Sequence, residues 1–110
     1  MTIRKIRADE LQEFKEIAED YISEEALEYI DRWFANFPDL FLADFQDGRM
    51  VGIIFGHMES KESMAIIDGI AVVSKYWGRG IGKRLIKALE ENAKKLGAKR
   101  VSVGAAGKTY

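Results

Sequence analysis

Three of the chain's ten glycines fall within five residues, Gly78-Arg79-Gly80-Ile81-Gly82, between an apolar run and an amphipathic helix pattern. Glycine reaches positive φ angles at little steric cost and keeps side chains away from whatever approaches the backbone. A strand that ends in such a loop and re-enters a helix turns successive N–H groups and the positive end of the helix dipole toward one point, which suits a phosphate or pyrophosphate. A plain turn would need one glycine rather than three. Two familiar phosphate loops do not fit. A P-loop needs glycine at Trp77 and Ser or Thr at Arg84, and a dinucleotide-binding fingerprint needs glycine at Lys83 and a βαβ repeat that the preceding sequence lacks.

Residues 64–73, just before the loop, are continuously apolar apart from Asp68 and Gly69 and read as a strand buried on both faces. After the loop, Ile81, Leu85, Leu89, Ala93 and Leu96 define one helix stripe, Lys83, Arg84, Lys87, Lys94 and Lys95 lie elsewhere on that helix, and Gly97 ends it. Residues 100–103 give a last strand. Upstream, residues 2–7 form a β-prone opening. Leu11, Phe14, Ala18 and Tyr21 or Ile22 recur at helical spacing behind Asp9 as a cap; Leu27, Ile30, Phe34 and Phe37 do so behind Ser23, and Pro38 closes that second helix. Residues 40–45 and 50–58 read as strands joined by Gln46-Asp47-Gly48-Arg49, where Asp-Gly supplies the positive φ angles of a tight hairpin. The order β-α-α-β-β-β-α-β predicts one α+β domain over residues 1–110. Its sheet should be mixed and mostly antiparallel with flanking helices, the last strand-helix-strand unit being a parallel crossover.

Composition narrows the chemistry. With no cysteine and a single histidine, His57, the chain cannot use thiolate catalysis, a disulfide scaffold or a Cys/His metal cluster, and no metal site is expected. No apolar run approaches the ~20 residues of a spanning helix and the N-terminus lacks a signal-like apolar core, so a cytoplasmic protein without membrane contact is expected. The formal net charge of −1 conceals a partition: residues 1–31 carry net −6, residues 32–74 net −3 and residues 75–110 net +8. The basic third lacks interleaved aromatics and is offset by acidic helices, which favours a small polyanion at the glycine loop over nucleic acid.

Strand, loop and helix together resemble the GNAT superfamily of N-acetyltransferases, whose signature is a bulged apolar strand followed by Gln/Arg-x-x-Gly-x-Gly/Ala and a helix. Here Ile70-Ala71-Val72-Val73 supplies the strand, Gly80-Ile81-Gly82 opens the helix and Tyr76 stands at a usually aromatic position. The element order agrees along essentially the whole chain. The resemblance implies a GNAT-like acyltransferase fold and direct transfer of the acetyl group of acetyl-CoA to a primary amine of a small molecule or protein. It places the CoA pyrophosphate on the amides of Gly78, Arg79, Gly80, Ile81, Gly82 and Lys83, with Arg79, Lys83 and Arg84 as nearby cations. The pantetheine arm would pair with the main chain of Ile70, Ala71 and Val72, and the amide of Val72 or a neighbour would meet the oxyanion.

The catalytic candidates are Asp68 and Glu59 as bases, Asp68 on the reading that it shares strand parity with Ile70 and Val72, and Tyr110 as the acid. His57 is the side-chain type best suited to trade a proton near neutral pH, but a lone strand histidine is more often structural. Glu10, Glu13, Glu19, Glu24 and Glu28, with Tyr21, Trp33 and Phe37, lie on the helices that shape the acceptor cleft in this family, which favours a cationic amine. Solvated helix faces account for those carboxylates equally well.

Two departures accompany the resemblance. Trp77 replaces the signature's Gln or Arg. The family pattern also continues through one more helix and two strands, so the chain reads as a shortened form whose last strand leaves an edge open to a homodimer. A CoA-binding or protein-interaction module of the same fold, without catalysis, is the alternative, and turnover separates the two.

Overall fold

The computed structural model describes residues 2–103. Strand β1 (Thr2–Lys5), helices α1 (Leu11–Tyr21) and α2 (Ala26–Asn36), strands β2 (Phe41–Gln46), β3 (Arg49–Glu59) and β4 (Met64–Val72), helix α3 (Ile81–Lys95) and strand β5 (Arg100–Val103) follow the order expected from the apolar periodicities. The five strands lie side by side in chain order. β1 to β4 pair antiparallel, whereas β4 and β5 are parallel and joined through α3.

Local chemistry sets most of the element ends. Asp47 at φ 52 and Gly48 at φ 75 make the tight β2–β3 turn. Ser23 Oγ accepts the Ala26 N–H at 3.2 Å where α2 begins. Gly97 at φ 99 lets the Ala98 N–H reach back to Ala93 O at 3.0 Å, closing α3. The expected Asp9 cap does not form. Asp9 instead accepts from Arg7 Nε at 3.1 Å, and Glu10, at the three-residue spacing of a capping box, accepts the Arg7 N–H at 2.8 Å.

Each face of the sheet carries its own apolar cluster. α3 packs Ile81, Leu85, Leu89 and Ala93 on Leu42, Val51, Ile54, Ile67, Ile70 and Val72. On the other face, α1 and α2 pack Phe14, Ile17, Ala18 and Ile30 on Phe41, Ala43, Ile53, Phe55 and Ala71. The rings of Phe14, Phe41 and Phe55 interlock there with centroids 5.4–5.8 Å apart. Because helices cover both faces, β3 and β4 can be almost continuously apolar.

One irregularity positions the site. Phe55 pairs with Gly69 and Gly56 with Ile67, so Asp68 is an extra residue in β4. Such a bulge resets the alternation of the strand. Ile67 and Ile70, three residues apart, both pack under α3, whereas Ala71 joins the cluster beneath α1 and α2. Asp68 therefore lies with Ala71 on the α1–α2 face, which corrects the expectation that it shares parity with Ile70 and Val72. Glycine is required opposite the bulge: a Cβ on Gly56 would lie inside the van der Waals shell of Ile66 O.

Glu10 also accepts from Arg4 Nη1 and Nη2 at 2.9 and 2.8 Å, and these bonds are the main cause of its carboxyl falling from 4.5 to about 2. A carboxyl lowered on folding stabilises the fold above its unfolded value and loses that contribution as the pH drops toward its folded one. Glu10→Gln is expected to cost about 1–2 kcal/mol at pH 7. In urea melts the gap between variant and parent should close between pH 4.5 and about 2; a gap independent of pH would rule this account out.

Candidate active site

Past the bulge, β4 runs on without β5. The parallel pairing of the two strands covers Met64 to Ile67 on β4 only, so among the described residues nothing pairs with the β5 side of β4 beyond that point. Val73 N–H donates to Val51 O at 2.9 Å. Because the residues of an antiparallel ladder alternate, Ala71 also turns its main chain toward β3, while Ile70 and Val72 turn theirs to the open edge. Of the three residues expected to pair with an extended ligand, Ile70 and Val72 turn their main chain to this edge and Ala71 contributes a buried methyl.

The open edge leads through a 3-10 turn, Ser74–Tyr76, into the glycine loop. Gly78 and Gly80 both stand at φ 79, where a side chain would be strained. Among the described residues, none of the N–H groups of residues 78–83 bonds to a main-chain acceptor, and the first bond into α3 runs from Arg84 N–H to Gly80 O at 3.2 Å. These amides are the orphan donors of a helix start. Arg84 Nη1 donates to Arg79 O at 3.1 Å and braces the loop from behind. The Arg79 guanidinium lies 5.1 Å from the centre of the Tyr76 ring, and Lys83 is exposed. Trp77 donates its indole N–H to Val72 O at 2.6 Å.

On the α1–α2 face of the bulge the structure brings together side chains from three elements. His57 Nδ1 and Asp68 Oδ2 are 2.6 Å apart, and His57 Nε2 lies 3.4 Å from Glu59 Oε1. The imidazole stacks on Trp33 at 4.2 Å and 7°, with Phe37 alongside. Glu59 is half exposed, whereas His57 and Asp68 are largely covered. Burial pushes the Asp68 carboxyl up, and the bond to His57 pulls against it. Nδ1 faces Asp68 under cover, and Nε2 faces Glu59 at the more exposed rim. Asp68 and Glu59 thus share one partner, His57, which sequence reasoning ranked below them. The short connection between β3 and β4 was the available signal, since it sets His57 opposite Ile66, two residues from Asp68. Tyr110 lies outside the described residues.

Two further features frame the site. Tyr21 at the end of α1 accepts the Ser74 N–H at 3.1 Å, tying that helix to the turn after β4. Asp44 on β2 is fully buried on the α3 side, and neither of its oxygens, nor Arg84 Nε, has a hydrogen-bond partner among the described residues. Burial pushes the Asp44 carboxyl up, while the charge of Arg84 opposes the shift.

The family model of the acetyltransferase (GNAT) family matches residues 3–108. The chain belongs to the GNAT family. Solved structures share its fold at low identity. This GNAT domain superposes on the aminoglycoside 6'-N-acetyltransferase AAC(6')-IG of Acinetobacter haemolyticus with a TM-score of 0.77 at 18% identity, over 96% of this chain and 80% of that one. Naa20 of Chaetomium thermophilum, solved with a bisubstrate analogue, gives 0.75 at 23% identity, over 94% and 61%. N-acetylglutamate synthase of Neisseria gonorrhoeae, complexed with coenzyme A and N-acetyl-glutamate, gives 0.74 at 19% identity, over 92% and 24%. No curated protein sequence matches the GNAT domain. Among its described residues no helix is long and apolar enough to cross a membrane.

Proposed function

We propose that this GNAT acetyltransferase moves the acetyl group of acetyl-CoA directly to a primary amine. One observation carries the reading: the open edge of β4, with Ile70 and Val72 facing outward, runs into a loop whose amides have no main-chain partner among the described residues. A pantetheine arm is an extended chain with two amides, which can add to a strand edge much as a peptide does. A pyrophosphate suits the convergent N–H groups of Gly80, Ile81, Gly82 and Lys83, with Arg79 and Lys83 adding charge. Gly78 fits the same role, because its position opens to space with nothing within 4 Å of a Cβ built there.

Bound acetyl-CoA supplies an activated thioester. As the amine attacks, charge develops on the carbonyl oxygen, and an outward N–H of Ile70 or Val72 is the donor positioned to receive it. The new C–N bond replaces the C–S bond; one proton leaves the amine and one is delivered to the CoA thiolate. An isolated surface carboxylate is a poor acceptor for an ammonium proton. His57 takes that part through Nε2, Asp68 fixes its tautomer, and Glu59 faces the ring once it is charged. Tyr110 remains the candidate acid for the thiolate.

For the acceptor, the groove between α1 and α2 holds Glu16, Glu19 and Glu28, with Asp31 tied to Lys15 at 2.7 Å. This surplus of carboxylates favours a cationic amine. Glu10 takes no part, being held by Arg4 and Arg7.

Millimolar acetyl-CoA is expected to raise the melting temperature, and CoA thiol should be released when amines are added. Aminoglycosides, polyamines and peptide N-termini form a suitable panel. Stabilisation without thiol release across it would support the non-catalytic CoA-binding module. No stabilisation at all would overturn both readings.

A further inference from the structure

Trp77 replaces the Gln or Arg of the family signature, and its indole N–H is bonded to Val72 O at 2.6 Å. That carbonyl belongs to the outward-facing edge of β4. Trp77 as a residue is 64% exposed, so its ring is held over the edge by a hydrogen bond and not by core packing. A chain that adds to a strand edge exchanges bonds with both the N–H and the C=O of each outward residue. With the indole in place, and among the described residues, Ile70 offers both groups and Val72 offers only its N–H.

Building on the acetyl-CoA reading, we propose that Trp77 is an internal competitor for the strand edge: its indole occupies the Val72 carbonyl until a pantetheine arm displaces it. Trp77 then sets the affinity for ligands that carry the arm and leaves the phosphate loop untouched. The surroundings allow the exchange. Trp77 stands between the turn Ser74–Tyr76 and Gly78, in extended backbone at φ −63 and ψ 154. A swing of the ring away from Val72 gives up one hydrogen bond and little buried surface.

The test compares the parent with Trp77→Phe, which keeps a ring but has no donor, and with Trp77→Leu as a second donor-free variant. Calorimetry measures the dissociation constants of CoA and of adenosine 3′-phosphate 5′-diphosphate, the half of CoA without the arm. Both variants are expected to bind CoA about 3- to 10-fold more tightly, the worth of one released hydrogen bond, and the nucleotide unchanged. The Trp77 emission, taken as the difference between parent and Trp77→Phe, should move to longer wavelength with CoA and stay put with the nucleotide.

Weaker CoA binding with unchanged nucleotide binding would overturn the proposal by making the indole a ligand contact. Weaker binding of both would overturn it by making Trp77 a brace of the loop, and equal affinities would overturn it outright. If parent and variants alike bind neither probe, the acetyl-CoA reading itself falls and takes the proposal with it.

Discussion

Gly80→Val should abolish acetyl-CoA binding, raising the dissociation constant more than 100-fold while the domain still unfolds cooperatively. Gly80 caps α3 at φ 79 and ψ 13, a conformation that a β-branched residue resists. Its Cβ would also stand 3.4 Å from Arg84 Nη1, the group that braces Arg79 O. The substitution therefore strains the loop at its positive φ and brings methyl groups beside the N–H groups of the first helical turn. The strain should cost the fold about 1–3 kcal/mol, which thermal melts measure separately from binding. Calorimetry with acetyl-CoA decides the matter: a dissociation constant within threefold of the parent would mean that the ligand does not rest on these amides.

The second large effect is on turnover. His57→Gln is expected to lower kcat about 100-fold or more with little change in acetyl-CoA affinity, because general-base assistance is worth about 10²–10⁴-fold. Asp68→Asn should cost at least 10-fold with the same preserved affinity, since it removes the charge that holds Nδ1–H. The pH profile separates chemistry from mere packing. Burial raises the Asp68 carboxyl, so the parent should lose activity on the acid side as that group takes up a proton. Asp68→Asn should flatten this limb. Full activity in His57→Gln would remove the ring from the reaction and return the base to Glu59 or to water.

Much of the fold was legible because it follows from short-range rules. Asp47-Gly48 could serve as little but a hairpin turn, and the helix stripes of α1, α2 and α3 name most of their buried faces, Leu96 at the end of α3 being exposed instead. The glycine loop was legible for the same reason, since its demand for positive φ is local. The bulge was not. Whether β4 carries one residue more than β3 across the crossing of Gly56 and Ile66 depends on contacts between strands, and alternation alone assigns Asp68 to the wrong face. That error hid the partnership of His57 with Asp68. The acidic helices misled in another way: Glu10 reads as one more surface carboxylate, yet Arg4 and the Arg7 amide claim it. Counting charges cannot tell a free carboxylate from an engaged one.

On the proposed reading, the groups that meet the ligand are chiefly peptide groups: two outward residues of a bulged strand and the first amides of a helix. Natural selection acting on such a site acts on the path of the backbone. Nearly any apolar side chain of suitable volume preserves that path, and only a few glycines are fixed by it. Lineages can then exchange most of their residues while keeping the fold, as the superposition of 0.77 at 18% identity illustrates. The same freedom leaves a neighbouring position such as Trp77 open to retuning, one substitution at a time, without rebuilding the site beneath it.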